Sequence, residues 1–227
     1  EACRALEIPI TGGNVSLYNE TDGQAIYPTP VLGVVGVLDD VNNVLTRLFP
    51  GPDREIVLLG HPPGALAGSE YLKMAHGLVR GRPAPVDLNR ERALQMLLVE
   101  AATNQWIGSA HDCAEGGLAV AVAECCVEGS GVGAWIDVPE TMESDDGFGA
   151  VRAFFGEAPS RVVVSVMSGT RDSLLGRARD LSVPASVIGR TGGETISLAL
   201  SGEPVAEIGL DDAEQAWGQG LTRPFGK

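Results

Sequence analysis

Short aliphatic runs alternate with helical patterns along most of the chain after residue 53. The runs rich in Val, Ile and Leu have strand length, and Leu and Ala recur at helical spacing between them. This pattern predicts strands at 55–59, 109–111, 133–138, 161–166, 185–189 and 195–200. It predicts helices at 69–76, 89–106, 117–127, 170–181 and 210–220. We therefore expect a mixed α+β domain with helices packed on one face of a sheet.

The length and composition are those of a folded chain with an aliphatic core. Its 227 residues suffice for one or two domains, and 44% of them are hydrophobic while only 5% are aromatic. This composition excludes general disorder. A stretch rich in Pro and Gly, FPGPD at 49–53, is the best boundary candidate and divides the chain into units 1–52 and 53–227. The first unit opens on what resembles the end of a helix, as though a domain had been cut.

The charge pattern excludes two classes of partner. The chain has 30 acidic and 16 basic residues, a net charge of −14, and its basic residues are scattered, so we expect no nucleic-acid binding. The longest aliphatic stretch, 31–38, is far below the roughly 20 residues that span a bilayer as a helix. We also see no signal peptide, and we expect a cytoplasmic protein without a membrane partner. The four cysteines lack metal-ligand or CxxC spacing, which favours buried thiols in a reducing compartment.

The segment TGGNVSLYNE at 11–20 is the richest in groups that could bind a nucleotide. Gly12 and Gly13 let backbone N–H groups approach an anion, and Asn14 and Ser16 supply neutral oxygens for Mg²⁺ or phosphate. The residues GGN also begin ordinary turns, so this pattern alone does not indicate a nucleotide site. No GK[ST] follows, so the segment is not a P-loop.

A second candidate lies in HDCAEGGLAVAVAE at 111–124. A short strand runs through Asp112 into a turn, and a helix begins at Gly116 and Gly117, where free N–H groups and the helix dipole attract anions. A phosphate could therefore sit at these glycines. The alternative is that Glu115 favours the positive helix end while the glycines allow close packing of the helix on the sheet.

Other polar clusters are better explained by structure. Glu70 and Lys73 have the spacing of a surface ion pair on a helix. The acidic cluster between residues 140 and 146 has the composition of a solvated loop or helix start. None of the three histidines has a neighbouring Cys, Ser or second His in sequence that would indicate a catalytic triad or a metal site.

Six segments, taken together and in order, resemble one enzyme family over the whole chain. They are TGGNVSLYNET, AIYPTPVLGVVGVL, LLGHPPGALAGSEYL, HDCAEGGLAVAVAE, FGEAPSRVVVSV and IGRTGG. They resemble the C-terminal part of the synthetase subunit of phosphoribosylformylglycinamidine synthase. Aminoimidazole ribonucleotide synthetase and selenophosphate synthetase share the two-domain architecture of this family but not the sequences of these segments.

The resemblance implies a domain organisation. The family builds its active protein from two tandem copies of an ATPase-like unit, each with an N-terminal domain and a C-terminal α+β domain. Residues 1–52 would be the truncated end of the second N-terminal domain. Residues 53–227 would be the second C-terminal domain, of the aminoimidazole ribonucleotide synthetase-like type.

The resemblance also implies an activity and site residues. In the family, ATP phosphorylates the formyl amide oxygen of formylglycinamide ribonucleotide, and ammonia from glutamine then displaces phosphate. The ATP contact would fall on Gly13, beside Gly12, the Mg²⁺ ligand on Asn14, and a substrate contact on Ser16. The turn of Asp112, Gly116 and Gly117 could border an auxiliary phosphate site. No catalytic residue falls within this chain, because the catalytic histidine and the ATP-contacting lysine belong to the first copy.

The implied partners are the remainder of the synthetase chain, a glutaminase subunit and, in the multi-subunit type of enzyme, a small bridging subunit. We expect the isolated chain to be inactive. The alternative is that the chain is chiefly a structural and interaction domain, which docks on the rest of the synthetase and on its glutaminase partner.

Overall fold

The computed structural model describes residues 1–14, 19–27, 29–60, 64–129, 131–139 and 147–220. The helices are α1 (Ala2–Ala5), α2 (Glu70–His76), α3 (Leu88–Thr103), α4 (Gly117–Cys126), α5 (Gly149–Phe155), α6 (Arg171–Asp180) and α7 (Leu210–Gln219), and a 3-10 turn spans Val41–Asn43. The strands are β1 (Glu20–Thr21), β2 (Gln24–Ala25), β3 (Glu55–Leu59), β4 (Ile107–Asp112), β5 (Ala134–Val138), β6 (Val162–Val166), β7 (Ala185–Thr191), β8 (Thr195–Leu200) and β9 (Glu203–Gly209).

A seven-stranded sheet forms the centre of the second unit. Its strand order is β4-β6-β3-β7-β5-β8-β9. Neighbouring strands are antiparallel except for β5 and β8, which run parallel. In the central strand β3, Leu58 lies opposite Val163 of β6 and Ser186 of β7. The remaining strands, β1 and β2, form a separate short hairpin in the first unit.

Helices cover both faces of this sheet, so the prediction of helices on one face was wrong. Ile56 and Leu58 of β3 pack in a cluster with residues of α4 and α5, whereas Val57 and Leu59 pack in another with residues of α3 and α6. All four side chains are at most 2% exposed. A continuous apolar strand is typical of a sheet buried on both sides, and a sheet with one solvated face would show alternation.

The predicted elements of the second unit are confirmed with small changes at their ends, and two elements were missed. The strand β9 was missed because it contains Pro204 and is mostly exposed, as an edge strand often is. The helix α5 spans seven residues, like the predicted α2, but it lacks the side-chain cap that Ser69 gives α2.

The first unit differs from its sequence pattern. The aliphatic stretch at 31–38 forms no strand, and Val31, Val35 and Val37 are more than 90% exposed. Phe49, by contrast, is 1% exposed, packs in the core of the second unit and donates its N–H to the Cys125 carbonyl. The division at residues 52 and 53 stays a prediction.

Within the described parts of the chain, no helix combines the length and apolar character needed to cross a membrane.

The two-sided core makes a prediction for neighbouring positions of α3. Leu97 is fully buried and Met96 is 49% exposed. We expect Leu97→Ala to lower the free energy of unfolding by about 2–5 kcal/mol, because it leaves a cavity under the sheet. The matched control Met96→Ala should stay within about 0.5 kcal/mol of the parent. Urea unfolding followed by circular dichroism measures both, and equal losses would contradict a core on this face.

Candidate functional site

The predicted nucleotide-binding residues at the front of the chain lie open to solvent. Gly12, Gly13 and Asn14 are exposed and belong to no helix or strand. Apart from the adjacent residues of the chain, no atom of the described residues lies within 4 Å of a Cβ built on either glycine. Ser16 lies outside the described residues. The described part of the chain therefore supplies at most one side of a nucleotide-binding site. The roles of these residues stay predictions.

The second predicted site is a helix start held by backbone geometry. Gly116 has φ 79° and precedes α4, and Gly117 has φ 67°. A Cβ on Gly117 would lie 2.7 Å from the carbonyl oxygen of Gly156, a separation that real side chains do not tolerate. Left-handed backbone and a close approach both favour glycine. The packing interpretation of these glycines therefore has direct support in the structure.

The carboxylate of Glu157 occupies the start of α4. Its Oε1 accepts a 2.8 Å hydrogen bond from the Gly116 N–H and another of 2.8 Å from the Glu70 N–H, the first residue of α2. The backbone of Glu157 also pairs with Ala65 in both directions at 2.9 Å. One internal anion thus binds the starts of two helices, where free N–H groups favour negative charge. A phosphate at Asp112, Gly116 and Gly117 stays a prediction, and it would have to share or displace this carboxylate.

Arg161 lies close by and is 2% exposed. Its Nη1 donates a 2.9 Å hydrogen bond to the Gly156 carbonyl, and its own carbonyl accepts one from the Cys113 N–H. Its Nε and Nη2 have no hydrogen-bond partner in the described part of the chain. Burial lowers the pKa of the guanidinium, yet an arginine remains charged at neutral pH.

These groups line a cavity of about 510 Å³. Ala67, Pro83 and Ala84 contribute apolar wall, while Glu157 and Arg161 contribute the charged groups discussed above. A cavity of this size, mostly apolar with a few polar groups, is typical of a small-molecule site. The structure therefore brings the predicted Asp112 turn next to a cavity, but the glycines at 12 and 13 are not among its lining residues.

The other polar residues considered from sequence form local contacts or lie outside the described residues. Glu70 and Lys73 form the predicted surface ion pair, at 2.9 Å. His111 Nε2 lies 2.7 Å from a carboxylate oxygen of Glu124. The described residues contain no cluster of three or more potential metal ligands. The acidic cluster at 140–146 and one histidine, His61, lie outside the described residues.

Three of the four cysteines are buried, and Cys3 is exposed, so the prediction of buried thiols was wrong for Cys3. Burial raises the pKa of Cys113 to about 11 and that of Cys126 to about 12. Burial also raises the pKa of Cys125. Such thiols stay protonated at neutral pH and behave as core residues.

The sequence patterns did not identify Glu157 and Arg161 as residues of a site. Both belong to the segment FGEAPSRVVVSV, which entered the resemblance only as a whole. The chemistry of Glu157 depends on contacts with Gly116 and Glu70, which are 41 and 87 residues away in sequence. The one local signal is an acid two residues before a proline and a base two residues after it, immediately before a buried strand.

Residues 51–200 match the model of the family AIR synthase related protein, C-terminal domain. Phosphoribosylformylglycinamidine synthase subunit PurL of Moorella thermoacetica is 40% identical over 220 residues, which are 97% of this chain and 29% of the relative. The subunit of the same name from Thermomicrobium roseum is 44% identical over 209 residues, 92% of this chain and 28% of the relative. The predicted resemblance is therefore confirmed. The chain spans less than a third of the length of either relative.

Solved structures show the same fold. The structure described as T. maritima PurL complexed with FGAR has a TM-score of 0.64 at 16% identity, covering 77% of this chain and 30% of that one. The structure described as T. maritima PurL complexed with ATP gives a TM-score of 0.61 at 16% identity, with 77% and 28% covered. Their likeness agrees with the predicted α+β domain of the aminoimidazole ribonucleotide synthetase-like type.

The two hydrogen bonds that Glu157 accepts from helix starts lead to a prediction for substitutions of this residue. We expect Glu157→Ala to lower the free energy of unfolding by about 1–3 kcal/mol, because two helix-start N–H groups lose their acceptor. Glu157→Gln keeps an acceptor without the charge and should cost less. Hydrogen exchange should accelerate at the Gly116 and Glu70 amides in Glu157→Ala. The exposed neighbour Glu115, changed to Ala, is the control, and unchanged exchange in Glu157→Ala would contradict the assignment.

The buried thiols make a second prediction. Because burial raises their pKa values, Cys113 and Cys126 carry little thiolate at pH 8, and the folded chain shields all three buried thiols from reagent. A disulfide reagent at pH 8 should therefore modify one thiol quickly, Cys3, and the other three slowly. Cys3→Ser should remove the fast phase, and urea should release all the remaining thiols. Any fast thiol in the native Cys3→Ser variant would contradict the burial.

Proposed function

Because the chain belongs to the family of AIR synthase related proteins through its C-terminal domain, we propose that it is the C-terminal segment of the synthetase subunit of phosphoribosylformylglycinamidine synthase. The observation that carries this proposal is 40–44% identity to such subunits across more than nine-tenths of the chain. The matched region is under a third of each subunit. In this proposal residues 1–52 end a second ATPase-like N-terminal domain, and residues 53–227 form the C-terminal domain.

The proposed parent enzyme is a ligase of purine biosynthesis in the cytoplasm. ATP transfers its γ-phosphoryl group to the formyl amide oxygen of formylglycinamide ribonucleotide and leaves as ADP. Ammonia then forms a bond to the same carbon, and phosphate departs with that oxygen to give the amidine. Phosphoryl transfer of this kind depends mainly on holding the phosphates and the acceptor in line.

The proposed contribution of this chain is one wall of the active site. Gly12 and Gly13 would present backbone N–H groups to the phosphates, and their exposed, open surroundings fit such an approach. The exposed carboxamide of Asn14 fits a hard cation, which prefers oxygen ligands. Bound Mg²⁺ would neutralise charge on the phosphates. Ser16 would contact the ribonucleotide, and no residue of this chain would act as the catalytic acid or base.

The exposed aliphatic stretch at 31–38 favours a second role, in docking. Val31, Val35 and Val37 expose more than 90% of their surface, and contiguous apolar surface of this kind marks an interface. We propose that the remainder of the synthetase chain covers this stretch. A glutaminase subunit and a small bridging subunit are further proposed partners, and a related solved structure is described as PurLQS from Thermotoga maritima.

The two roles differ in what Asn14 does. If Asn14 binds Mg²⁺, Asn14→Ala in the full-length synthetase should lower kcat at least about tenfold, since the loss of outer-shell partners alone costs about 10–100-fold. Its unfolding temperature should not change. The control is Asn42→Ala, another exposed asparagine, whose carboxamide contacts Asp40. ADP release with formylglycinamide ribonucleotide, ATP and ammonia measures the rate.

Two outcomes would contradict this proposal. Full activity in Asn14→Ala would leave the docking role as the function of the segment. ADP release by the isolated 227-residue chain, above the level of a heat-denatured sample and dependent on the ribonucleotide, would show that no other part of the synthetase is needed.

A further inference from the structure

A second cavity, of about 410 Å³, is lined mainly by α4, α7, β8 and the edge strand β9. Ile196 and Leu198 of β8 line it from the core side and are buried. Trp217, Ile208 and Val120 also line it, and they are 43%, 41% and 36% exposed. Because these three side chains are open to solvent, a ligand from outside can reach them.

The space exists because both helices present small side chains to it. Ala119 and Ala123 of α4 and Ala216 of α7 line the cavity. Alanine favours a helix but fills little volume, so the two helices leave a gap between them. The strands β8 and β9 below the gap are paired along their length. The lining is therefore held by regular backbone, as in ligand sites that are largely formed before the ligand arrives.

The wall of this cavity is almost entirely apolar. Apart from Glu124 and Glu207, every described lining residue is Ala, Val, Ile, Leu, Phe or Trp. Such a wall removes the apolar surface of a ligand from water, which is favourable. The rings of Trp217 and Phe155 give an aromatic ligand further packing contacts. A ligand of this cavity therefore needs an apolar body, and an aromatic ring suits these two side chains.

The charges of the lining select the sign of the ligand. Its charged residues, Glu124 and Glu207, are both acidic, and the described lining contains no Lys, Arg or His. A carboxylate oxygen of Glu124 lies 2.7 Å from His111 Nε2, and Glu207 accepts a 2.7 Å hydrogen bond from the Ser197 hydroxyl. Neither carboxylate pairs with a lysine or arginine in the described part of the chain. The chain as a whole has a net charge of −14. The surroundings therefore repel an anion and attract a cation.

Trp217 adds a second favourable interaction for a cation. The face of an indole ring attracts an ammonium ion, and Trp is the best aromatic side chain for this contact. The side chain of Glu124 is 34% exposed, so solvent reaches it. An ammonium group at the mouth of the cavity keeps part of its hydration, which limits the cost of desolvating a charge.

We propose that the cavity between α4 and α7 binds a small hydrophobic amine. Its apolar body packs against Trp217 and Ile208. Its ammonium group stays at the mouth of the cavity, where Glu124 and Glu207 attract it. The predicted nucleotide-binding residues 12–14 line no part of this cavity. The proposal is independent of the activity proposed for the parent enzyme.

The test titrates the 227-residue chain with 2-phenylethylamine at neutral pH, where this amine is protonated. A ligand with so few atoms should bind saturably, with a Kd on the order of 1 mM. In a ¹H–¹⁵N spectrum, the indole N–H signal of Trp217 should move along the binding curve, and those of Trp106 and Trp135 should not. The uncharged 2-phenylethanol should bind at least about threefold more weakly, because it lacks the cation. The anion phenylacetate should bind at least about tenfold more weakly, because the carboxylates repel it.

A double variant tests the role of the two carboxylates. Glu124→Gln combined with Glu207→Gln keeps the size of both side chains and removes their charge. It should weaken the binding of 2-phenylethylamine about tenfold and leave that of 2-phenylethanol unchanged. The control combines Glu194→Gln with Glu214→Gln, at two exposed acids outside this lining. It should change the affinity for the amine less than about twofold, because salt screens distant charges.

A second variant tests the cavity itself. Ala216→Leu fills the space from the side of α7 and should weaken both 2-phenylethylamine and 2-phenylethanol about tenfold, because their rings lose buried apolar contact. Its control is Ala75→Leu, at an exposed alanine of α2 that lies outside this lining. Circular dichroism reports whether each variant is folded.

Several results would overturn the proposal. Absence of a saturable shift of the Trp217 signal up to about 50 times the expected Kd would do so. Phenylacetate or 2-phenylethanol binding as tightly as the amine would contradict the selection of a cation, and so would equal losses for amine and alcohol in the double variant. If the double variant fails to fold, Ala216→Leu decides, and unchanged affinity there would place the amine outside this cavity. If deletion of residues 221–227, which follow α7, strengthens amine binding about tenfold, that segment would be the occupant of the cavity instead.

Discussion

A single carboxylate oxygen, Oε1 of Glu157, connects the parts of the second unit that surround its cavity. It accepts from the first amide of α2 and from the amide at the start of α4, and its backbone pairs with Ala65. Helix starts carry free N–H groups and partial positive charge, so one internal anion satisfies two ends that would otherwise need water or a ligand. With Glu157 engaged in this way, the neighbouring Arg161 has no internal carboxylate to pair with.

Much of the fold could be predicted because hydrophobic periodicity is a local property. The helix α3, with its buried Leu94 and Leu97, and the buried strand β6 both follow from spacing alone. The number of covered faces was mispredicted, because a short apolar run such as β3 does not tell which helices reach it from distant parts of the chain. The edge strand β9 lacks the apolar signal, since an edge of the sheet exposes its side chains and tolerates Pro204.

The site could be predicted only in part, for a related reason. Gly116 and Gly117 are recognisable in sequence because a helix start with positive φ favours glycine. Their partner, Glu157, is not, because nothing local distinguishes it from the other acids of a strongly acidic chain. The unpaired edge of Arg161 is less predictable still, since it depends on what every neighbouring side chain does. Family resemblance identified the segment that holds both residues, but their chemistry required the three-dimensional contacts.

The two units differ in how much of their apolar surface is buried within this chain. The second unit closes a core on both sides of its sheet. The first unit leaves Val31, Val35 and Val37 in solvent and its glycines at 12 and 13 without neighbours. Burying such a surface requires another polypeptide segment, because nothing in the described part of this chain covers it. We therefore propose that any chemistry at Asn14 depends on an assembled partner surface.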